Sequence, residues 1–374
     1  MKILILGGTG TISYGMAKAS LEKGHEVTLI NRGNRPYRVL SNAFYLKADI
    51  YDIKAIKSLL EGKLFDIIID PLVYDGSTLN RNLATFSSYC KKYVIISSCC
   101  AFGCSADNEA IDETCDMKPE SKYGIGKKEC EDILKSYGII YTIIRPYITY
   151  GDIRLPIPFS CRENPYTVIN RIREEKPLVC FEYTFHSTFH NLMYIDDFSN
   201  IAISALESSS SDNNDFNICS RHFYTWEETY ASLYQCLNKE KHVYQISREY
   251  FKRFDSHLYE DMLYDKDHYG AVYCGEKVRN ITGINSDEVP LLDGIRMSIT
   301  YLDSHMQRLP LETAYDIQTD ALLLFAVKEK DAFLKDYIKS MTVQYKVWLC
   351  LIWIWAPLKK LLKKTKAILK TMPH

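Results

Sequence analysis

A serine, a tyrosine and a lysine form the pattern in this sequence that is best suited to chemistry. Ser98 ends the apolar segment "VIISS", and Tyr123 and Lys127 follow in "YGIGK". Residues four apart share one face of a helix, so the phenol and the ammonium are expected to be neighbours. A nearby cation favours the phenolate, which could take the proton of a substrate hydroxyl that Ser98 also contacts. The three residues predict proton transfer during oxidation or reduction at a hydroxyl carbon, although Ser98 alone could equally cap a strand end.

A glycine-rich turn lies between a predicted buried strand and a predicted helix at the start of the chain. In "ILILGGTGTIS" the first glycine permits a tight turn, and the next ones let the backbone approach a pyrophosphate at the helix N-terminus. Ser13 occupies the position of a third glycine, where helix and sheet pack. This context predicts a nicotinamide dinucleotide site rather than a plain strand–helix turn. The loop residues predicted to contact the cofactor are Gly7, Gly8, Thr9, Gly10, Thr11 and Ile12.

The end of the second predicted strand indicates which dinucleotide binds. Asn31 stands where an acidic residue would bind the ribose hydroxyls of NAD, and Arg32 and Arg35 follow it. Guanidinium groups suit a 2′-phosphate, so NADP is favoured over NAD unless the two arginines are only solvated loop charges. Asp49 and Ile50 follow the third predicted strand and are expected at the adenine, although Asp49 could equally cap the next helix.

Short apolar runs alternate with helical spacing over the first 150 residues. Strands are predicted at residues 3–6, 27–30, 44–47, 66–69, 93–97 and 141–144, and helices at 11–23, 53–60 and 79–90. This alternation predicts an α/β fold with a Rossmann-type doubly wound parallel sheet. After these residues, prolines and a mixture of helices and short strands predict a smaller mixed α/β substrate lobe. The last residues are predicted to form a C-terminal helical tail. The predicted boundaries are 1–150 for the dinucleotide-binding domain, with strands near 192–220 completing its sheet, 151–312 mainly for the lobe, and 313–374 for the tail.

The bulk composition excludes several classes of protein. The 374 residues are 47% apolar and 25% charged, and a net charge of −1 offers no basic field for nucleic acid. The twelve cysteines include no CxxC pair, which predicts reduced thiols and no metal site. The start "MKILILGG" reaches glycine after six residues and is expected to be a buried strand rather than a secretory leader. A cytoplasmic location is therefore expected.

The order of these segments resembles the extended short-chain dehydrogenase/reductases, the NAD-dependent epimerase/dehydratase family. The resemblance covers about residues 1–303, through "GGTGTIS", "VIISSCCAFG", "YGIGK", "IIRPYITYGD", "NLMYIDDFSNIAISAL", "FNICSRHFYTWEE" and "KVRNITGINSDEVPLLDGIRMSITYL". It implies that Ser98, Tyr123 and Lys127 are the catalytic triad and that Pro146 and Ile148 belong to the loop lining the nicotinamide. It also implies a nucleotide-sugar substrate, as in polysaccharide biosynthesis, and a homodimer formed through two helices of the sheet domain.

Two cysteines after Ser98 narrow the reaction that the resemblance implies. Family members that eliminate water carry an Asp-Glu pair where this chain has Cys99 and Cys100, which argues against a 4,6-dehydratase. Cys100 matches an acid/base cysteine of the epimerase-reductases that make GDP-fucose, or is a small buried apolar residue. A 4-epimerase, which recycles its cofactor, and a 4-keto-sugar reductase, which consumes NADPH, both stay open. The arginines expected at the nucleotide diphosphate, or alternatively in surface salt bridges, are Arg154, Arg221 and Arg279.

A non-catalytic role is the alternative. The chloroplast stem-loop RNA-binding relatives share "NRG" after the second strand, but such atypical members often lose catalytic residues, and this chain keeps all three. The nearly neutral charge also lacks the basic patch that RNA requires. An RNA-binding or dinucleotide-sensing interaction protein is therefore the second hypothesis, and no nucleic-acid partner is expected.

The last 30 residues have a composition of their own. The apolar stretch 347–358 contains Trp348, Trp353 and Trp355, and a lysine-rich segment follows it. Twelve residues are too few to cross a bilayer, but tryptophan followed by a basic amphipathic helix is typical of a helix lying on an anionic membrane. We expect peripheral membrane contact through 347–370, at the inner face of the cell membrane. The alternative is that the tail packs on its own lobe or on a partner subunit.

Overall fold

The structure is a computed structural model that describes residues 1–35, 37–103, 110–161, 163–182, 185–186, 188–251, 253 and 272–371. Side chains are described up to residue 357, apart from that of Arg248.

A seven-stranded parallel sheet lies at the centre of the N-terminal half. Its strands are β1 (Lys2–Leu6), β2 (Glu26–Asn31), β3 (Phe44–Lys47), β4 (Phe65–Asp70), β5 (Cys90–Ile96), β6 (Ile140–Pro146) and, from later in the chain, β10 (Asn214–Ile218). They lie in the order β10-β6-β5-β4-β1-β2-β3, and every pairing is parallel. The strand order reverses between β1 and β4, because the chain proceeds from β1 towards one edge of the sheet and from β4 towards the other. Ligands of such sheets bind at this switch point, beyond the carboxyl ends of the strands.

Helices cover both faces of this sheet, as the Rossmann-type prediction requires. They are α1 (Thr11–Glu22), α2 (Ile53–Leu60), α3 (Gly76–Phe86), α4 (Lys122–Ser136) and α6 (Ile195–Glu207). Successive side chains of a strand point to opposite faces. Ile3 and Ile5 accordingly join the apolar core under α1 and α6, whereas Leu4 and Leu6 join the core under α2, α3 and α4. The central strand is therefore buried on both sides, which is why it reads as a continuous apolar run.

A smaller lobe of helices and two short sheets follows β6. One sheet joins β7 (Ile148–Tyr150), β9 (His190–Tyr194) and β11 (Phe223–Tyr224), and the other joins β8 (Leu178–Phe181) to β12 (Val243–Ile246). The helices here are α5 (Tyr166–Arg173), α7 (Trp226–Cys236), α8 (Arg248–Phe251), α9 (Glu276–Thr282) and α10 (Leu291–His305). Of the strands near 192–220, β10 lies in the large sheet, whereas β9 lies in the three-stranded sheet of the lobe.

Three helices end the described chain: α11 (Thr313–Phe325), α12 (Ala332–Ser340) and α13 (Val343–Thr371). The predicted helical tail is divided into separate helices, because α11 ends at Phe325 and Asp331 caps α12 by accepting the Leu334 N–H at 2.8 Å. Within the described ranges, no helix combines the length and apolar character that crossing a membrane requires.

Candidate active site

Ser98 and Tyr123 meet where β5 ends and α4 begins. Ser98 follows β5 and opens a short turn in which its Oγ accepts the Cys100 N–H at 3.2 Å. Tyr123 lies in the first turn of α4, which Ser121 caps by accepting the Gly124 N–H at 2.9 Å. The Tyr123 phenol hydrogen-bonds the Ser98 side chain. Both hydroxyls can therefore contact one substrate oxygen.

Lys127 lies one helical turn after Tyr123 and is almost fully buried. Its Nζ donates to the Val73 carbonyl at 2.6 Å and to the Ile96 carbonyl at 2.7 Å, and it lies 5.5 Å from the centre of the Tyr123 ring. These carbonyls follow β4 and end β5, so the lysine joins α4 to the carboxyl edge of the sheet. Burial lowers the pKa of its ammonium to about 8.

The pKa of the Tyr123 phenol is shifted opposite to the sequence-based expectation. Burial raises it above the ordinary value, and the neighbouring Cys100 and Tyr74 raise it further. The hydrogen bond to Ser98 and the charge of Arg154 lower it, but by less. The protein on its own thus keeps the phenol protonated, which suits a proton donor.

The two cysteines after Ser98 are both buried, with different contacts. The Cys99 thiol donates to the Arg145 carbonyl at 3.3 Å and packs in the core. Cys100 is electrostatically coupled to Tyr123, so it lies within the candidate site. Burial alone fits the apolar interpretation of Cys100, and proximity to Tyr123 fits the acid/base one.

A cavity of about 680 Å³ lies at the switch point of the sheet. Seven of the residues predicted to bind the dinucleotide line it: Gly7, Thr9, Asn31, Arg32, Arg35, Asp49 and Ile50. Leu72 and Tyr74 from the connection after β4 also line it. The cavity therefore joins the ends of β1, β2, β3 and β4, as a dinucleotide-binding crevice does.

The glycine turn has the backbone that a phosphate cradle needs. Gly7 and Gly8 have φ angles of 97° and 90°, which side-chain-bearing residues rarely adopt. The Gly7 N–H donates to the Ile30 carbonyl at 2.8 Å, which fixes the turn against β2. Helix α1 starts at Thr11, so its N-terminus follows this turn, while the side chain of Ile12 packs against the core. The turn can hold a pyrophosphate by backbone N–H groups and the helix dipole.

Asn31 and Arg35 border the same cavity with polar groups. Asn31 Oδ1 accepts the Gly33 N–H at 2.9 Å, while its Nδ2 is buried and has no partner among the described residues. Such a donor is costly to leave unpaired, so it fits an acceptor on a bound nucleotide. Arg35 donates to the Thr9 carbonyl at 3.4 Å and lies 3.7 Å from Glu163. The residues present thus fit a dinucleotide.

Asp49 is a further polar residue that lines this cavity. Its carboxylate accepts the Tyr51 N–H at 3.0 Å, and the cap of α2 is Asp52, which accepts the Ala55 N–H at 3.1 Å. Of the two roles that the sequence leaves open for Asp49, the helix cap therefore belongs to another residue. Ile50 is buried beside it.

The Arg145 side chain lies in a buried ionic network behind the site. It donates to both oxygens of Glu131 at 2.8 and 2.6 Å and also to Asp215, and Ser97 donates to Glu131 at 2.5 Å. This network joins β5, α4, β6 and β10. Pro146 ends β6 beyond it, and Ile148, which begins β7, is buried in the core.

Two of the arginines predicted at the substrate diphosphate lie in a separate ionic cluster. Buried Arg279 donates to the Gly275 and Cys219 carbonyls and to Glu288, and the Arg221 backbone N–H also donates to Glu288. The Arg221 guanidinium is held by Glu276 at 2.8 and 3.0 Å. These contacts favour a structural role for both. Arg154, in the turn after β7, is the predicted arginine whose charge reaches Tyr123.

Several residues that line the cavity were not predicted from the sequence. Tyr74 follows β4, and the rule that ligands lie beyond strand ends could have found it. The lobe residues Glu163, Asn164, Leu309 and Pro310 carry no such local signal, because only tertiary packing brings them over the cavity. Among the described side chains, no group of three or more His, Cys, Asp or Glu residues is placed to hold a metal ion.

Comparison with known families agrees with this architecture. The sequence model of the NAD dependent epimerase/dehydratase family matches residues 3–219. The structure is similar to that of UDP-glucose 4-epimerase from Thermotoga maritima, with a TM-score of 0.65 and 20% identity over 82% of this chain and 100% of that one. It is also similar to UDP-glucuronic acid 4-epimerase from Bacillus cereus, solved with UDP-glucuronic acid and NAD, with a TM-score of 0.64 and 19% identity over 81% and 99% of the two chains.

Curated relatives are distant and are matched only in part. The chain is 25% identical over 244 residues to the chloroplast stem-loop binding protein of 41 kDa b from Arabidopsis thaliana, a match that covers 60% of each. It is 27% identical over 162 residues to UDP-arabinose 4-epimerase 1 of the same plant, covering 36% of this chain and 39% of the relative. The match therefore spans less than two thirds of either relative.

Proposed function

The chain belongs to the NAD dependent epimerase/dehydratase family, and we propose that it transfers hydride at a hydroxyl or ketone carbon of a nucleotide-linked sugar. The observation that carries this proposal is the pair of hydroxyls, Ser98 and Tyr123, held together by β5 and α4 with buried Lys127 beside them. The residues that form the cavity at the switch point fit the dinucleotide that this reaction needs.

The protonated phenol supports a reductive step. A substrate ketone oxygen that accepts from Ser98 and Tyr123 is polarised, and Tyr123 gives it a proton as the carbon becomes a hydroxyl carbon. When bound, a reduced nicotinamide supplies the hydride that completes this change. Ser98 orients the oxygen, and Lys127, fixed by two carbonyls, holds positive charge beside the phenol. In the opposite direction the phenolate that this step leaves on Tyr123 takes the hydroxyl proton back.

Tyr123→Phe tests this role because it removes only the proton donor. We expect turnover to fall by about a hundredfold or more, since general acid catalysis contributes roughly that factor, while dinucleotide binding is retained. Thermal-shift titration with NAD and NADP measures binding, and consumption of a 4-keto or 4-hydroxy nucleotide sugar measures turnover. Full activity in this variant would refute the mechanism.

The nucleotide sugar and the net reaction need a second experiment. We propose UDP-, GDP-, CDP- or dTDP-linked sugars as the substrate class, as in polysaccharide biosynthesis, with Arg154 near the diphosphate and Cys100 as a candidate acid/base. A thermal-shift panel of these ligands identifies the nucleotide. Stoichiometric loss of NADPH then indicates a reductase, whereas interconversion of two sugars without net loss indicates a 4-epimerase.

NADP is the cofactor that we propose. Arg32 and Arg35 border the cavity beside Asn31, where an acidic side chain would repel a 2′-phosphate. Arg32→Ala should weaken NADP binding by about tenfold or more, the value of one charge-assisted hydrogen bond, and leave NAD binding nearly unchanged. Equal loss for both dinucleotides would contradict this preference. Titration of each cofactor by calorimetry measures the two affinities.

An RNA-binding role is the second candidate, favoured by the partial match to a stem-loop binding protein. A protein of that kind would bind a stem-loop RNA with an affinity that falls steeply as salt rises. A salt titration of RNA binding, compared with the same titration of dinucleotide binding, separates the two. RNA binding that survives Tyr123→Phe, without any turnover of nucleotide sugars by the parent protein, would favour this alternative. Cofactor binding without turnover and without RNA binding would instead indicate a dinucleotide-sensing interaction protein.

We propose that the enzyme works in the cytoplasm or at the inner face of the cell membrane, as a homodimer. The eleven cysteines that the structure describes are not joined in disulfides, which suits a reducing compartment. Sedimentation velocity of the full chain measures the oligomeric state.

A further inference from the structure

We propose that the outer face of α13 is a docking surface for an anionic lipid bilayer, with the helix lying in the plane of the headgroups. This surface is separate from the cavity and the Ser98–Tyr123 pair, so the proposal goes beyond hydride transfer. It stands on three features of the helix: an exposed apolar stripe, an anchored opposite face, and a lysine-rich continuation without acidic residues.

The outer stripe consists of large apolar side chains spaced three or four residues apart. Such spacing places them on one face of a helix. They are between 50 and 72% exposed, although residues of these types are usually buried, and they are Val343, Val347, Leu351, Ile354 and Trp355. Trp348, beside the stripe, is 43% exposed. A continuous exposed apolar surface of this kind marks an interaction site.

The opposite face of α13 is fixed to the body of the protein. Leu349 is fully buried, and Trp353 packs against Phe325 with ring centres 5.1 Å apart. The Arg253 guanidinium lies 4.3 Å from the Trp353 ring, and Tyr250 lies on the same side. Because the inner face already packs against the body of the protein, the outer stripe is left on the surface and is not part of the core of the lobe.

The charge of this segment is entirely of one sign. Every charged residue in 343–374 is a lysine: Lys346, Lys359, Lys360, Lys363, Lys364, Lys366 and Lys370. The whole chain has a net charge of −1, so the remainder of the chain is net acidic. Exposed tryptophan and leucine followed by clustered lysines is the composition that binds the interface of an anionic membrane.

A bilayer suits both halves of the helix better than a second copy does. In a parallel pair of α13 helices, the two lysine-rich halves would repel each other. In an antiparallel pair, each lysine-rich half would cover the apolar half of its partner. An anionic bilayer instead offers an acyl region to the stripe and phosphates to the lysines. The occupant that the charge pattern selects is therefore lipid.

Co-sedimentation of the full chain with vesicles tests the proposal. We expect binding to phosphatidylcholine vesicles containing phosphatidylglycerol, little binding to pure phosphatidylcholine, and a decrease as salt rises. Leu351→Ser combined with Trp355→Ser should weaken binding by about tenfold or more, because two large apolar groups no longer enter the interface. Lys359→Glu combined with Lys363→Glu should do the same through charge.

A matched control separates the stripe from surface apolarity in general. Leu64→Ser changes an exposed leucine, 55% accessible, outside α13, and should bind vesicles as the parent does. Equal loss in this control, or no binding of the parent protein to anionic vesicles, would overturn the proposal. A dimer that the Leu351→Ser and Trp355→Ser substitutions dissociate, without vesicle binding, would assign the surface to a second copy. Dinucleotide binding, measured in the same samples, reports on the proposed enzymatic site independently.

Discussion

Lys127 carries its charge in an unusually demanding position. It is 2% exposed, and its ammonium is satisfied by two backbone carbonyls rather than by a carboxylate. Asp70, buried at the end of β4, also acts on it electrostatically, but is itself occupied by Asn82 and Tyr93. Burial therefore outweighs these favourable interactions, and the lysine holds its proton less firmly than a solvated one.

This lowered pKa makes stability depend on pH in a defined window. Below pH 8 the lysine is protonated in both the folded and the unfolded chain, so the cost of its buried charge is fully present. Between about pH 8 and the ordinary value of 10.5, the folded state loses the proton first, and stability rises with pH. Relative to Lys127→Met, the parent should gain up to about 3 kcal/mol across this window.

Urea unfolding at successive pH values measures that difference. The Met variant also loses two hydrogen bonds, but this contributes a constant offset and leaves the pH dependence to the lysine. Parallel stability curves for the two proteins across the window would contradict the buried-charge interpretation.

Individual site residues were predictable where a local rule applies. Ser98, Tyr123 and the glycine turn follow from strand ends and helical spacing, which are properties of short segments. The direction of the Tyr123 pKa shift was not predictable, since it depends on how deeply several elements bury the phenol. The partners of the Arg279 guanidinium were not predictable either, because Glu288 and the Cys219 carbonyl come from separate parts of the chain.

At the scale of elements, the position of α4 decides whether Tyr123 reaches Ser98. The helix lies against the connection between β4 and α3, where Glu129 accepts the Gly76 N–H at 3.1 Å. A Cβ on Gly126 would lie 2.3 Å from the Tyr74 carbonyl oxygen. Glycine at this position therefore lets the helix approach the backbone closely.

Gly126→Ala tests this contact, because the contact decides whether the substitution raises or lowers the stability of the protein. In an open helix the change from glycine to alanine stabilises by about 0.5–1 kcal/mol, but here the added carbon meets backbone that cannot rotate away. We expect a loss of about 1–3 kcal/mol, as for other overpacked sites, together with reduced turnover as α4 shifts. Ile125→Ala, at an exposed neighbouring position of α4, is the control and should be nearly neutral. A stabilised Gly126→Ala variant would show that the helix has room.

The elements themselves were largely predictable in the first 150 residues. Residues 44–47 and 53–60 coincide with β3 and α2, because apolar periodicity and the Asp52 cap are both local signals. The helix predicted over 79–90 lies at Gly76–Phe86 instead, since Asp75 caps it by accepting the Thr78 N–H. The pairing of β7 with β9 has no local signal, because the two strands are 40 residues apart in sequence.

At the scale of the whole molecule, one buried carboxylate connects the C-terminal helices to the lobe. Asp320 of α11 accepts from Arg171 of α5 at 2.5 Å, from Tyr337 of α12 at 2.8 Å and from Tyr345 of α13 at 2.8 Å. Arg171 is completely buried and also donates to Asp316 at 3.0 Å. The helical tail is thus held by a polar network in addition to the apolar contacts of its inner faces.

Arg171→Met should therefore loosen the tail while leaving the dinucleotide cavity intact. Removing one partner of a buried ion pair costs about 3–5 kcal/mol, and the lower end applies here because two tyrosines still donate to Asp320.

Arg173→Met is the matched control on the same helix, since Arg173 pairs with Asp303 at the surface, where such a pair contributes no more than about 1 kcal/mol. Urea unfolding measures both changes, and limited proteolysis of the 326–331 connection shows whether α12 and α13 detach. If both variants lost the same stability and neither became sensitive to protease, Asp320 would not be the tie between lobe and tail. Cofactor affinity should be unchanged in Arg171→Met, because neither Arg171 nor Asp320 lines the dinucleotide cavity.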